Sequence, residues 1–368
     1  MKITRIEVFR ANLPLKRPFR ISLGVVEVTD TVFVRLHGED GLYGMGEANP
    51  IAQIVGETMG TVLAGADLCA RLLIGGEAHD IHGHVARLRA ALPHNTTCRS
   101  AFDMALYDLL GKRADLPLYA LLGGPKCKVV TDNTVGIDTP EVMTQQAVEF
   151  RDRGFSVIKI KLGTTLAEDL ARIAAIRQAV GPEVKLRIDA NQGWSRVVAR
   201  EVLSLLAAFD IQYCEQPVKA WDIDGLAAVS ADSPIPIMAD EALFDNHDAV
   251  ALLRINACSY FNIKLAKSAG IHTALQINAV AEAAGIPCMV GCMSETRLAL
   301  SAAAHLVSAR RNIVFADLDS ADKLRDDPVV GGITYGKGGT ISLPNEPGIG
   351  ADIDTDYLLG LERFEVST

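Results

Sequence analysis

Three acidic residues, Asp189, Glu215 and Asp240, each close a short apolar run: Val184 to Ile188, Ile211 to Cys214 and Ile235 to Ala239. Two lysine pairs bracket them, Lys159/Lys161 before and Lys264/Lys267 after. From Lys161 through Asp189, Glu215 and Asp240 to Lys264 the steps are 28, 26, 25 and 24 residues. A parallel strand, its return helix and two loops consume roughly that many residues. The spacing predicts five charged side chains at the carboxyl ends of successive strands, where a parallel barrel keeps its active site.

Three carboxylates converging in a partly dry pocket repel one another, and a divalent cation removes that cost. Ligation by oxygen alone, without His or Cys, favours magnesium or manganese over zinc. Lys159 and Lys161, two apart on a strand, point the same way. Each ammonium disfavours the other, and desolvation acts in the same sense, so the Lys161 pKa is expected to fall toward neutrality. Lys264 arrives from across the mouth. Two amines facing each other over a metal site suit a carbon acid whose carboxylate the metal holds while the α-proton leaves and an enediolate forms. One lysine removes the proton and the other returns it on the opposite face, giving racemisation or epimerisation. A substrate with a departing β-substituent would give elimination instead. The plain alternative is solvent-facing charge at strand ends. It suits one carboxylate or one lysine pair better than three acids in consecutive units.

The elements that must position these groups follow the same period. Strands are predicted at 129–136, 157–162, 184–189, 211–215, 235–239, 259–263, 286–290 and 312–316, with amphipathic helices between them such as Glu168 to Val180 and Val197 to Phe209. Before them, Ile3 to Phe9, Thr31 to Leu36 and Gly41 to Glu47 read as a β-meander. Leu13 to Thr29, broken by Pro14, Pro18 and Gly24, reads as an irregular lid loop, and Ile51 to Met59 as a second lid. Helical spacing runs from about Thr58 to Lys112, with breaks at Gly75-Gly76 and Pro93. The domain boundary falls at Leu121 to Pro125. The expected organisation is a cap over 1–124, a barrel over 125–320, and a segment 321–368 that packs back on the cap.

Composition narrows the class. The 368 residues are 49% apolar, enough for a large core, and the net charge of −9 without a basic block argues against nucleic acid. No charge-free apolar run is long enough to span a membrane. Seven scattered cysteines without a Cys-x-x-Cys read as buried apolar residues in a reducing cytoplasm.

The motifs Lys159-x-Lys161, Asp189-x-Asn191, Glu215-x-Pro217, Asp240-Glu241 and Lys264-x-x-Lys267 resemble the enolase superfamily, in its muconate-lactonizing subgroup. Gly44-x-Gly46-Glu47 and Met104-Ala-Leu-Tyr-Asp108 extend the likeness into the cap. The resemblance implies a modified TIM (β/α)7β barrel under an α+β capping domain. It assigns Asp189, Glu215 and Asp240 to Mg2+ (or Mn2+) and Lys161 and Lys264 to acid/base work. Lys159 would tune Lys161 and contact the bound carboxylate, with Asn191, Glu241 and Lys267 in support. Barrels of this family often associate, so a homo-oligomer is admitted.

At the eighth strand end, Asp317 and Asp319 point into the mouth together, so a cationic substrate group is wanted there rather than a second anion. They are similar to the Asp-x-Asp of dipeptide epimerases, which binds the substrate's α-ammonium; a helix amino-terminal cap is the alternative role. By the same resemblance Thr134, Cys292 and Ser294 line the substrate pocket. Alanyl-glutamate epimerases carry a lid arginine where this chain has Gly24, leaving Arg17 or Arg20 as substitutes and the second residue undefined. The small-molecule substrate is therefore expected to be a dipeptide. An N-acylamino acid racemase, another amino-acid-derivative epimerase or dehydratase, a cycloisomerase, and a catalytically silent barrel are the competing readings.

Overall fold

The computed structural model describes all residues, 1–368. Eight parallel strands form one curled sheet in chain order: Asn133–Val135, Val157–Lys161, Lys185–Asp189, Ile211–Glu215, Ile237–Ala239, Tyr260–Ile263, Cys288–Val290 and Ile313–Ala316. Seven helices of 9 to 15 residues follow the first seven strands, and a single turn, Ser320–Lys323, follows the eighth. This is a (β/α)7β barrel. Its seam is light: Asp132 N donates to Ala316 O (3.4 Å) and Leu318 N to Thr131 Oγ1 (2.7 Å), in place of a strand ladder.

Alternation decides what each strand offers. In Val157–Lys161 the isoleucines at 158 and 160 join the apolar layer beneath the helices, while Lys159 and Lys161 turn into the barrel. Lys161 is in register with Asp189, and Asp189 with Glu215, so the charged ends lie side by side. Below them the barrel is plugged by Tyr213, Met238 and Met289, packed on Tyr260 and Phe315. Arg187 lies against the Tyr213 and Phe315 rings and pairs with Asp132 at 2.7 Å, closing the floor under the charged layer.

The cap is a four-stranded antiparallel sheet, in which Ile3–Ile21 lies between Gly24–Gly38 and Glu362–Ser367 and Tyr43–Ala48 forms one edge, backed by helices Met59–Leu73, Ile81–Ala91 and Thr96–Ala114. Leu13 to Thr29 is not irregular. It is a hairpin, paired from Leu13↔Thr29 to Ile21↔Gly24, with a register shift between Pro14 and Phe19. Pro18 falls inside the shift and Pro14 pairs with Val28 at its edge, on a stretch beyond Arg10 where the Glu362–Ser367 strand has ended. Ser22 and Leu23 make the turn, and Gly24 opens the return strand with φ of +152°. The first predicted barrel strand also divides. Val129–Val130 leaves the barrel to pair with Thr340–Ser342, and only Asn133–Val135 joins it. Cys127 is exposed and Cys258 and Cys292 are half-buried, so the cysteines are not uniformly core residues; all seven are free thiols. No helix is long and apolar enough to cross a membrane.

Candidate active site

The ligating oxygens of Asp189, Glu215 and Asp240 lie within 4.8 Å of one another, and all three side chains are fully buried. The chain turns sharply after two of them: Asn191 and Gln216 take positive φ of 39° and 32°. These left-handed positions are held by bonds that organise the trio. Asn191 N donates to Asp189 Oδ1 (2.8 Å), and Gln216 Oε1 accepts from Asp240 N (2.9 Å) and Ala242 N (3.1 Å).

Lysines stand on either side. Lys161 Nζ donates to Asp189 Oδ2 (2.6 Å) and Asn191 Oδ1 (2.9 Å). Lys264 Nζ donates to Asp240 Oδ2 (2.7 Å). Lys159 Nζ lies centrally, 2.6 Å from Glu215, 2.8 Å from Asp317 and 3.1 Å from Asp189. Lys267 sits beneath, 2.5 Å from Asp240 Oδ1, and burial lowers its pKa. Burial acts the same way on Lys159, yet the Asp317, Glu215 and Asp189 charges outweigh it and hold that ammonium well above its ordinary range. Lys264 is raised in the same manner, against burial, by Asp240 and Glu215.

The acid trio fits a divalent cation. Burial, then the Asp189 charge, push the Glu215 carboxyl well above its usual range, a cost that two positive charges in their midst would offset. Glu215 Oε2 and Asp240 Oδ1 accept no well-aligned hydrogen bond, although ammonium groups are close. Three carboxylate oxygens without nitrogen or sulfur make a hard donor set. Asn191 Nδ2 donates to Glu241 Oε1 (3.1 Å), and burial with the Asp240 charge raises Glu241 to about 7. Asn262 was missed in the sequence. Its amide donates to Glu215 Oε1 (2.6 Å), and its place two residues before Lys264 on the same strand face was the available signal.

Above this layer is a cavity of about 40 Å³ lined by Lys159, Lys161 and Lys264, with Thr134, Cys292, Ser294, Asp317 and Asp319 on its walls. Leu15, Phe19 and Met293 roof it. The lid hairpin is shut. Arg20 O accepts from Ile137 N (2.8 Å), and Ser22 Oγ reaches Ala190 O (2.9 Å) and Asn191 O (2.8 Å), directly behind Lys161. Asp319 opens the short helix but makes no capping bond; its Oδ2 instead accepts Thr134 N (2.6 Å) and faces Lys323 at 2.5 Å. Asp317 Oδ1 is buried without a partner. Arg17 and Arg20 are not among the cavity's walls; Arg17 faces Glu149 at 3.8 Å.

A curled (β/α)7β barrel, an α+β cap with a shut lid and an acid trio between lysines define a class of enzyme. Family models match both parts: the mandelate racemase/muconate lactonizing enzyme N-terminal domain over residues 3–123 and the enolase C-terminal domain-like model over 142–357. The chain belongs to the enolase superfamily, in its mandelate racemase/muconate lactonizing branch. Its relatives are more particular. A D-Ala-D/L-Ala epimerase of Cytophaga hutchinsonii is 43% identical over 99% of both chains, and a hydrophobic dipeptide epimerase of Enterococcus faecalis is 43% identical over 95% of this chain and 99% of the other. The solved dipeptide epimerase of C. hutchinsonii, complexed with Mg and D-Ala-L-Val, superposes with a TM-score of 0.98 at 43% identity over the whole of both chains.

Proposed function

We propose that this protein is a divalent-metal-dependent dipeptide epimerase that inverts the carboxyl-terminal residue by 1,1-proton transfer. The observation that carries the reading is the placement of Lys161 and Lys264. They come from the second and sixth strands, hydrogen-bond to opposite members of the acid trio, and line one cavity. Relatives that are dipeptide epimerases, one of them solved with Mg and a dipeptide, support the same reaction and ion.

Magnesium held by Asp189, Glu215 and Asp240 would neutralise the substrate carboxylate as it takes on enediolate charge. Lys161 and Lys264 flank the α-carbon; the one in its free-amine form takes the proton and the other, as ammonium, delivers one to the opposite face. Lys159 adds positive charge beside the carboxylate. At the other end of the cavity Asp317 and Asp319 hold the substrate's α-ammonium, for which Asp317 Oδ1 is an unpartnered acceptor. The roof of Leu15, Phe19 and Met293, together with Cys292 and Ser294, offers no unpaired cation to a side-chain carboxylate, so residues with small uncharged side chains suit the site. The seven free thiols support a reducing, cytoplasmic setting.

Incubation of L,L-dipeptides with enzyme and Mg2+ in D2O tests this. Label washed into recovered dipeptide, together with its epimer, is expected. Label-free recovery across uncharged dipeptides, or conversion to a dehydrated or cyclised product, sinks the reading.

A further inference from the structure

The catalytic cavity has a neighbour. A second cavity of about 160 Å³, room for a side chain or several waters, lies behind Thr134, Phe19 and Lys323, and these three residues line both. Lys323 is the adjustable part of that wall. Its ammonium lies 2.5 Å from Asp319 and 5.1 Å from the centre of the Phe19 ring, so its stem bridges the single helical turn after the eighth strand and the lid. The Phe19 ring is seated against Gly136, where a Cβ would come within 3.2 Å of it. Beyond the wall, charge does not balance. Lys16, Arg17, Arg20 and Arg153 line the second cavity, against Asp138 and Asp322 as its acidic lining. Asp322 is taken by Arg153 (2.8 Å) and approached by Lys16 (3.9 Å), Arg17 turns to Glu149, and Arg20 makes no ion pair.

We propose that Lys323 is a specificity-determining residue: tethered to Asp319 and Phe19, it closes the amino-terminal end of the dipeptide site, confines the first residue to a short side chain, and walls off a cationic cavity suited to a longer acidic one. The inference rests on the dipeptide reading above, because an α-ammonium on Asp317 and Asp319 is what sets the first residue against Thr134, Phe19 and Lys323.

Steady-state kinetics on L-Ala-L-Ala, L-Glu-L-Ala, L-Leu-L-Ala and L-Lys-L-Ala test it, using the full-length enzyme with Mg2+ and the variants Lys323→Ala and Phe19→Ala. Phe19→Ala breaches the wall from the lid side and leaves the Lys323–Asp319 pair in place. The readout is kcat/KM relative to L-Ala-L-Ala, which cancels any general loss of activity. Opening the wall should raise the Glu-first ratio by about tenfold or more, the scale on which a pocket discriminates side chains. The Leu-first ratio should rise less and the Lys-first ratio should stay put. A Glu-first ratio within about twofold of wild type in both variants, against that scale, overturns the assignment. So does an equal gain for Lys-first, or a wild-type enzyme that already prefers Glu-first. Failure of the wild type on all four dipeptides would instead strike the dipeptide reading itself.

Discussion

Glu47 is buried where the cap meets the barrel, and replacing it with glutamine should change how stability responds to alkali. It lies on the cap strand Tyr43–Ala48 and reaches across to the amino terminus of helix Arg297–Ala309, accepting from Thr296 N (2.8 Å), Thr296 Oγ1 (2.7 Å) and Ala299 N (3.0 Å). Burial is the largest influence and drives its pKa up from 4.5 to about 8, against the pull of the Thr296 bonds. The folded state therefore holds this proton more tightly than the unfolded chain. The resulting stabilisation is complete below the unfolded pKa of 4.5 and is lost as pH rises through about 8. Worked through, one such carboxyl contributes ~2.7 kcal/mol at pH 6 and almost nothing at pH 9. Glu47→Gln keeps the shape and removes the titration. Urea midpoints for both proteins between pH 6 and pH 9 give the comparison. Asp103, raised to about 7 by burial, and Asp132, raised to about 8 by burial and then by Asp317, weaken both proteins alike and cancel in the difference. Wild type should lose ~2.7 kcal/mol more than the variant across that range. Parallel curves would refute the reasoning, and would mean that three donors at a helix amino terminus keep Glu47 ionised despite its burial.

Lys161→Ala and Lys264→Ala should each lower epimerisation by about 10²–10⁴-fold or more, with metal affinity retained in titration calorimetry. The two variants should also keep residual solvent exchange for opposite configurations of the second residue; loss of one configuration in both would argue against bases on two faces. Glu215→Gln and Asp240→Asn should abolish Mn2+ binding as read by paramagnetic resonance, and chelation should silence the wild type until Mg2+ returns; full activity in the presence of chelator would exclude the metal. Ser22→Ala removes the lid's bond to Ala190 O and Asn191 O, worth about 1 kcal/mol, and should raise KM about fivefold with a smaller change in kcat.

The groups visible in the sequence share one property: their positions follow from the strand period alone. Lys161, Asp189, Glu215, Asp240 and Lys264 end successive strands, and Lys159 shares a face with Lys161 because strand side chains alternate. The lid was illegible for a matching reason. Pro14, Pro18 and Gly24 read locally as breaks, whereas pairing between the two arms, Leu13 to Ile21 and Gly24 to Thr29, decides their structure. Lys323 and Phe19 reach the cavity only through the path of the lid and of the turn after the eighth strand, which no periodicity encodes. The charge around Lys159 was illegible because an i, i+2 pair is read from one strand, while the carboxylates around it arrive from the third, fourth and eighth.

That last point bears on how the site works as a whole. Around the mouth stand six acidic side chains, Asp189, Glu215, Asp240, Glu241, Asp317 and Asp319, and five lysines, 159, 161, 264, 267 and 323, all buried or nearly so. Burying so much charge is tolerable only because the two signs are interleaved at ion-pair distance. The same interleaving sorts the cavity into two ends. Toward the acid trio, Lys161 and Lys264 face Asp189 and Asp240; toward the eighth strand, Asp317 and Asp319 line the cavity, and Asp317 Oδ1 is left without a partner. With a divalent ion in the acid trio, as proposed, a zwitterion whose carboxylate and ammonium are separated by one peptide unit would match that polarity in one orientation only. On the proposed function, orientation of the substrate, and with it the choice of which α-carbon lies between the two amines, would be fixed by the charge order along the barrel mouth before any side-chain pocket acts.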